Sequence, residues 1–220
     1  MLPPACLLCG SASPRSPCVA CQRDLPWHTA PQCPVCATPT PGGQVCGPCL
    51  RRPPAFDRTC AALAYRFPVD RLIPRLKYHG RLAIAPALAH CIDQALGDAP
   101  SPDCVAPMPL HPARIRERGF NHAAAIAREL ARLRTLPLAL DVCRRVRDTP
   151  PQMQLKYDAR RRNVRGAFAC DDSVRDRHVT IIDDVMTTGT SLDELAATLK
   201  RAGACEVSCW VVARALPPGD

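Results

Sequence analysis

Residues 178–192 read HVTIIDDVMTTGTSL. Val179 to Ile182 is a run dominated by β-branched side chains, the composition of a strand buried on both faces of a parallel sheet. Two carboxylates, Asp183 and Asp184, follow at its C-terminal edge, where open α/β sheets place their ligands. A loop of small and hydroxylated residues comes next. A helix then begins, with Leu192, Leu195, Ala196 and Leu199 on one face. Ser191 and Glu194 have the spacing of a capping box, and Gly203 is placed to stop the helix.

The order strand, acids, loop, helix also specifies a ligand chemistry. A loop running into a helix N-terminus offers free backbone N–H groups and a positive dipole end, which suits a phosphate. Gly189 lets the main chain come close, and Thr187, Thr188, Thr190 and Ser191 add hydroxyl donors. The paired acids cannot face a phosphate, because like charges repel, but they can accept hydrogen bonds from neighbouring sugar hydroxyls. A phosphate together with a vicinal diol describes a ribose 5-phosphate. The absence of GxxxxGK[ST] excludes the nucleoside-triphosphate P-loop.

The stretch is similar to the phosphoribosyl-pyrophosphate (PRPP) motif of type I phosphoribosyltransferases. That resemblance implies that Asp183 and Asp184 hold the ribose 2- and 3-hydroxyls. It also implies that Thr187, Thr188, Gly189, Thr190 and Ser191 wrap the 5-phosphate. Val185 and Met186, inside the motif, are expected to face the core. Mg²⁺ is the implied companion of PRPP, bridging ribose and pyrophosphate oxygens. In purine-salvage members the third residue after the second acid is often an Asp that acts as base. Thr187 stands there in this chain, which points away from a standard purine acceptor.

Working upstream, residues 104–122 read CVAPMPLHPARIRERGFNH. Val105 to Leu110 has the pattern of a buried strand. Arg114, Arg116 and Arg118 form a dense donor set in a loop ending at Gly119, suited to pyrophosphate or a nucleic-acid backbone. Asn121 is placed to cap a helix whose apolar stripe is Ala123, Ile126, Ala127, Leu130 and Leu133. Lys77 lies in a short basic amphipathic piece, residues 72–80, and Gln152 and Arg160 lie in a basic stretch farther on. Strands are expected near 60–67, 104–110, 138–143, 178–183 and 206–213. Helices are expected near 69–78, 82–97, 121–134 and 191–202. The 144–170 stretch is expected to be a flap over the site.

The N-terminal quarter has a different character. Eight of the chain's 15 cysteines form four CxxC pairs: Cys6/Cys9, Cys18/Cys21, Cys33/Cys36 and Cys46/Cys49. One knuckle points two thiolates at one place, and a second completes a tetrahedron around Zn²⁺. Two closed four-thiolate sites follow, and their zinc is structural because no coordination position is left for water. Pairing in sequence order is our reading; interleaved pairing (first with third, second with fourth) satisfies the same spacing. Few large apolar residues lie here, so metal binding supplies the folding energy. Arg51-Arg52-Pro53-Pro54 reads as a hinge, dividing a zinc module at 1–54 from a main domain at 55–220. The other seven cysteines, Cys60, Cys91, Cys104, Cys143, Cys170, Cys205 and Cys209, read as reduced, small, buried hydrophobes.

Composition limits the function classes. No stretch reaches the ~18 apolar residues of a membrane span, and residues 1–5 have no basic start of a signal peptide. Both point to a cytoplasmic chain without a direct membrane span. The 25 prolines disfavour coiled coils, and the net charge is +9. Residues 60–165 carry 19 basic and 9 acidic side chains, a net +10, while residues 166–220 carry 5 and 9, a net −4. The middle region is therefore built to meet anions. Three Tyr, four Phe and two Trp serve the whole chain, which limits base stacking.

Taken in order, the cysteine module, Leu76-Lys77-Tyr78-His79-Gly80, the segment from Ala106 to His122, the pieces around Thr149, Gln152 and Asn163, and the loop from Ile182 to Thr190 resemble the ComF (competence protein F) family. His122 stands where the family pattern has Gln. The resemblance implies an α/β fold: a type I phosphoribosyltransferase-like parallel sheet of about five strands flanked by helices, with a small N-terminal zinc-binding module of four-cysteine sites. It implies association with DNA uptake in natural transformation and with single-stranded DNA at the inner face of the membrane. The zinc module is separately read as a surface that could dock a partner protein, such as a competence helicase or membrane-channel protein. Two readings follow. One is a phosphoribosyltransferase, in which Lys77, Arg114, Arg116, Arg118, Gly119, Asn121, Gln152 and Arg160 meet pyrophosphate or nucleic acid. The other is a non-catalytic module that binds PRPP and single-stranded DNA or docks a partner.

Overall fold

The computed structural model describes residues 5–148 and 164–216; Gln152 and Arg160 lie outside them. Six strands are present among the described residues: β1 (Arg58–Ala64), β2 (Cys104–Pro107), β3 (Cys143–Arg145), β4 (Phe168–Cys170), β5 (His178–Met186) and β6 (Glu206–Arg214). Four of them make one parallel sheet in the order β1-β6-β5-β2. β5 and β6 lie at its centre, and their near-continuous apolar runs are what burial on both faces requires. Thr180 and Ser208 are buried polar exceptions, and their hydroxyls satisfy each other at 2.6 Å.

Among the same described residues, seven α-helices surround the strands: α1 (Val19–Arg23), α2 (Gly47–Arg51), α3 (Val69–His79), α4 (Ala85–Leu96), α5 (Pro112–Arg118), α6 (His122–Arg134) and α7 (Thr190–Arg201). The sheet separates two apolar layers. Leu72 and Leu76 of α3, Leu88 and Ile92 of α4, and Ile126 and Leu130 of α6 pack with Ile182, Trp210 and Val212. Leu192, Leu195 and Leu199 of α7 pack with Val179, Ile181, Val207 and Val211. The alternation of Ile181 and Ile182 between these layers is the period-two signature of a strand.

Several details differ from the sequence expectations. The central sheet has four strands among the described residues, and the fifth, expected at 138–143, shrinks to a parallel bridge between Leu138 and Val105. Cys143–Arg145 turns away and pairs antiparallel with Phe168–Cys170. The arginines of 114–118 sit on a short helix rather than a loop: Pro112 occupies its first turn, and Gly119 ends it at φ +81°. Ser191 is not the cap of α7. The N-cap is Gly189 at φ +75°, a left-handed position that disfavours any side chain, and Glu194 accepts from the Gly166 N–H at 2.9 Å. β5 runs three residues beyond 183, so both acids lie inside the strand. Of the seven isolated cysteines, Cys205 is exposed and Cys60 and Cys170 are only partly buried.

The N-terminal module is stitched to the sheet. Residues 26–28 lie antiparallel along the outer edge of β1, with the His28 N–H on Ala62 O at 3.0 Å and the Ala64 N–H on Pro26 O at 2.7 Å. Leu25 belongs to the main core.

Candidate functional site

The site arises where β2 stops. β2 is in register with β5 only as far as Pro107 and Ile182, while β6 accompanies β5 through Met186. Beyond Ile182 one edge of β5 is left open, and Asp183 and Asp184 stand at that edge. A cleft of about 380 Å³ lies over them. Its walls come from α3 (Lys77, Tyr78), the start of α6 (His122), α5 (Arg114, Arg118), the end of β3 and following residues (Arg145, Asp148), and Thr187 and Ser191. Next to it, the loop from Thr187 to Ser191 encloses a small hollow of about 50 Å³.

The electrostatics of the acids is set by Lys77. Its Nζ lies 2.9 Å from Asp184 Oδ2, and the Asp184 side chain is only 5% exposed. Burial pushes the Asp184 carboxyl up. Lys77, His122 and the Val185 N–H (2.8 Å) outweigh burial and hold it below the usual carboxylate range. The reverse holds for Asp183, where burial and the neighbouring Asp184 charge push the carboxyl up. The two acids therefore differ: Asp184 is ionised and matched by Lys77, whereas the Asp183 carboxyl is held above the usual carboxylate range. His122 Nε2 lies 3.4 Å from Asp184 Oδ2, but burial pushes the imidazole down to about 4, so it is neutral at pH 7.

The sequence-predicted residues are distributed unevenly around this centre. Asp183, Val185 and Thr187 through Ser191 line the cleft or the loop hollow, and Thr188 and Thr190 share a hydroxyl contact of 2.8 Å. Met186 is buried, as expected of a core residue, whereas Val185 is only half-buried. Helical spacing puts Arg114 and Arg118 on the cleft side of α5 and leaves Arg116 exposed on the other. Arg118 is stacked over the Tyr78 ring at 5.0 Å, and Arg114 pairs with Glu117 at 2.9 Å. The Asn121 carbonyl oxygen accepts from the N–H groups of Ala123 and Ala124, and its amide donates to Met108 O at 3.0 Å. Gly119 serves as the left-handed end of α5. Lys77 faces Asp184. Arg145 and Asp148 fall at the start of the 144–170 stretch expected over the site and do line the cleft, but nothing periodic in that stretch singled them out as contacts.

The cysteines resolve into two groups, Cys6/Cys9/Cys18/Cys21 and Cys33/Cys36/Cys46/Cys49, each with its sulfurs within 4.8 Å of one another. Pairing is therefore in sequence order. Backbone N–H groups are aimed at the sulfurs: Cys18 N lies 3.3 Å from Cys6 Sγ. Against the effect of burial, such N–H groups pull Cys6 down to about 6 and Cys33 down to about 7. Neighbouring thiols push Cys21 up and burial pushes Cys49 up, so the fit to Zn²⁺ rests on four sulfurs converging at each site.

The second group adjoins the loop at residues 187–191 through one buried side chain. Arg214, at the end of β6, donates from Nε to Cys36 O (3.0 Å) and from Nη2 to Thr38 Oγ1 (2.9 Å). Its Nη1 reaches Met186 O (2.9 Å), Ala215 O (2.7 Å) and Thr187 O. One guanidinium thus ties the backbone of the second zinc site to the start of the loop.

Comparison with known proteins gives two family matches: a double zinc ribbon domain over residues 1–50 and a phosphoribosyl transferase domain over residues 115–217. The chain is 34% identical to DNA utilization protein YhgH of Salmonella typhi, over 90% of each chain. It is 31% identical to competence protein F of Haemophilus influenzae, again over 90% of each. Among solved structures, the glutamine PRPP amidotransferase from B. subtilis, complexed with ADP and GMP, aligns with a TM-score of 0.44 at 19% identity. That alignment covers 63% of this chain and 30% of the other. Among the described residues no helix is long and apolar enough to cross a membrane.

Proposed function

Because the chain belongs to the ComF (competence protein F) family, we propose that the cleft over Asp183 and Asp184 binds PRPP with Mg²⁺, in a phosphoribosyltransferase-type protein of DNA uptake that also handles single-stranded DNA. One observation carries this reading. The two acids stand at an open strand edge, directly beside a hollow loop that runs into the N-terminus of α7. A ribose 5-phosphate needs that juxtaposition, with hydroxyl acceptors on one side and N–H and O–H donors on the other. Mg²⁺ takes oxygen ligands. Asp184 is matched by Lys77, so Asp183 and the ligand's own oxygens are the donors that suit it. When bound, the ion neutralises pyrophosphate charge. Arg114 and Arg118 face the same volume and add fixed positive charge where pyrophosphate would depart from C1 of the ribose. Thr187 provides no carboxylate at the position of the purine-salvage base.

Calorimetric titration with PRPP tests the site. Wild type should bind in the presence of Mg²⁺ and weakly or not at all without it. Asp183→Asn should lose about tenfold or more in affinity, the size of a charge-assisted hydrogen bond to a sugar hydroxyl. Equal binding by Asp183→Asn, or none by wild type with Mg²⁺, overturns the assignment.

The single-stranded DNA part of the reading rests on the outer face of α3 and its flanks. Phe67 is 75% exposed, and Tyr78, whose ring already carries Arg118 on one face at the cleft, is 55% exposed. Arg66, Arg71, Arg75 and Arg81, all exposed, lie within a few residues of one or the other in the chain. Aromatic faces amid arginines form a stacking and charge-neutralising surface for an unpaired strand. The affinity for an oligo(dT) should therefore fall with salt, with a log–log slope near about −0.7 per phosphate neutralised. Arg71→Ala and Arg75→Ala should each flatten that slope. A wild-type affinity that ignores salt removes this part of the proposal.

A further inference from the structure

Cys143 and Cys170 are the one pair of cysteines outside the zinc ribbons whose sulfurs are in contact among the described residues, with Sγ atoms 2.8 Å apart. Their placement follows from the ladder. The Asp171 N–H bonds to Val142 O at 3.1 Å, and the Val146 N–H bonds to Ala167 O at 2.8 Å. In an antiparallel ladder hydrogen-bonded and non-hydrogen-bonded pairs alternate. The 142/171 and 146/167 pairs are therefore hydrogen-bonded, and Cys143/Cys170, directly opposite in the register, is a non-hydrogen-bonded pair. Cα atoms in such pairs approach to about 4.5 Å and their side chains lie closest, within the Cα separation that a disulfide spans. The two sulfurs can bond without any shift in strand register.

We propose that Cys143 and Cys170 are a reversible dithiol–disulfide pair, a modification site that clips β3 to β4 when the protein meets an oxidant of the disulfide class. Cys170 is the more accessible of the two and Cys143 is buried, which orders the steps. The Cys170 thiolate attacks one sulfur of a small disulfide such as oxidised glutathione, forming a mixed disulfide and releasing one glutathione thiolate. The Cys143 sulfur, already in contact, then gives up its proton, attacks Cys170 Sγ and releases the second glutathione. Two protein thiols are oxidised to one disulfide, and one glutathione disulfide is reduced to two thiols. The adjacent sulfur and burial push the Cys143 thiol up, so attack by Cys143 is the slow, contact-dependent second step.

The position of the clip gives it consequences. β3 carries Arg145, which packs on the Phe168 ring at 5.5 Å and lines the cleft, and Asp148 follows it on the same wall. A covalent bond two residues before Arg145 fixes the base from which both project. Neither the bond nor its effect on the ladder depends on what occupies the cleft.

The test uses the full, zinc-loaded chain incubated with oxidised glutathione, alkylated and digested. A peptide containing Cys143 should be recovered linked to one containing Cys170, lighter by two hydrogens than the sum of the reduced pair. Dithiothreitol should reverse the link. In Cys143→Ser, Cys170 should instead accumulate the glutathione adduct. In wild type, amide exchange at residues 143–146 and 167–170 should slow about tenfold on oxidation. Full alkylation of both cysteines after oxidation, linkage of either to a different cysteine, or unchanged exchange in the linked form overturns the proposal.

Discussion

Stripping zinc from the full chain should unfold both cysteine ribbons and, through the second of them, loosen the loop at Thr187–Thr190. Within the ribbons themselves there is little apolar core. The buried cluster of the second consists of Cys33, Cys46 and Cys49, with Val35, Cys36 and Val45 packed against it. Zinc binding in such modules is worth about 10–16 kcal/mol at neutral pH, and that binding free energy is folding free energy. The effect should not be equal at the two sites. The first ribbon meets the main domain through Leu7 and Leu8 against the core and through Gln22 on Gln94 of α4, far in the chain from the loop. The second reaches the loop through Arg214, which bonds Cys36 O and Met186 O at once. Hydrogen exchange should show this asymmetry. Cys9→Ser should release one zinc and leave protection near Met186–Thr190 intact. Cys49→Ser should release the other and raise exchange there by about tenfold or more. Equal protection of the loop in both variants breaks the link through Arg214, and a zinc-free wild type with intact ribbons contradicts the structural role of the metal.

The parts of this molecule that were legible from sequence are those in which one local pattern has one physical meaning. Four CxxC pairs at these separations point to metal, and a β-branched strand, paired acids and a hydroxyl-rich loop point to the C-terminal edge of a parallel sheet. What stayed hidden depended on where neighbouring strands end. Nothing local to Asp183 says that β2 stops opposite Ile182, yet that termination opens the cleft and lets both acids sit inside β5. The capping-box spacing of Ser191 and Glu194 was a local signal overridden by tertiary structure. Gly189 already supplies the left-handed entry to α7, and Glu194 is drawn to the Gly166 N–H.

Charge read from sequence did not say which cations reach the cleft, for a similar reason. The basic middle region is a property of the chain, and which guanidinium reaches the cleft is a property of helix phase. Arg114 and Arg118 share a face because they are four residues apart, and Arg116 between them points away. Arg145 enters the cleft from a three-residue strand paired with residues 168–170. A pairing across more than twenty residues of chain leaves no periodic trace in sequence. The cysteines outside the ribbons show the same limit: as single residues they looked inert, and only the register of β3 and β4 brings Cys143 and Cys170 together.

Lys77→Met should be the most damaging single substitution in the main domain, costing about 3 kcal/mol or more at pH 7. Removing one partner of a buried ion pair leaves the other charge uncompensated, and Asp184, 5% exposed, has few alternatives. His122 cannot substitute, because burial keeps it neutral. The pH dependence identifies the cause. In wild type the folded Asp184 carboxyl lies below its unfolded value. Its contribution is therefore present above the unfolded pKa of about 3.9 and is lost as pH falls through the folded value. Without Lys77, burial dominates and carries the folded carboxyl above the unfolded value. The sign then reverses: Asp184 costs nothing when protonated near pH 3, and its penalty grows as pH rises. Urea midpoints of wild type and Lys77→Met should thus lie far apart at pH 7 and converge toward pH 3. Adding Asp184→Asn to Lys77→Met removes the stranded charge, so the double variant should recover about 2 kcal/mol over Lys77→Met alone, a coupling expected only of residues in direct contact. A deficit that is the same at every pH, or a double variant no more stable than Lys77→Met, would mean that Lys77 acts through its packing in α3 and not through its charge on Asp184.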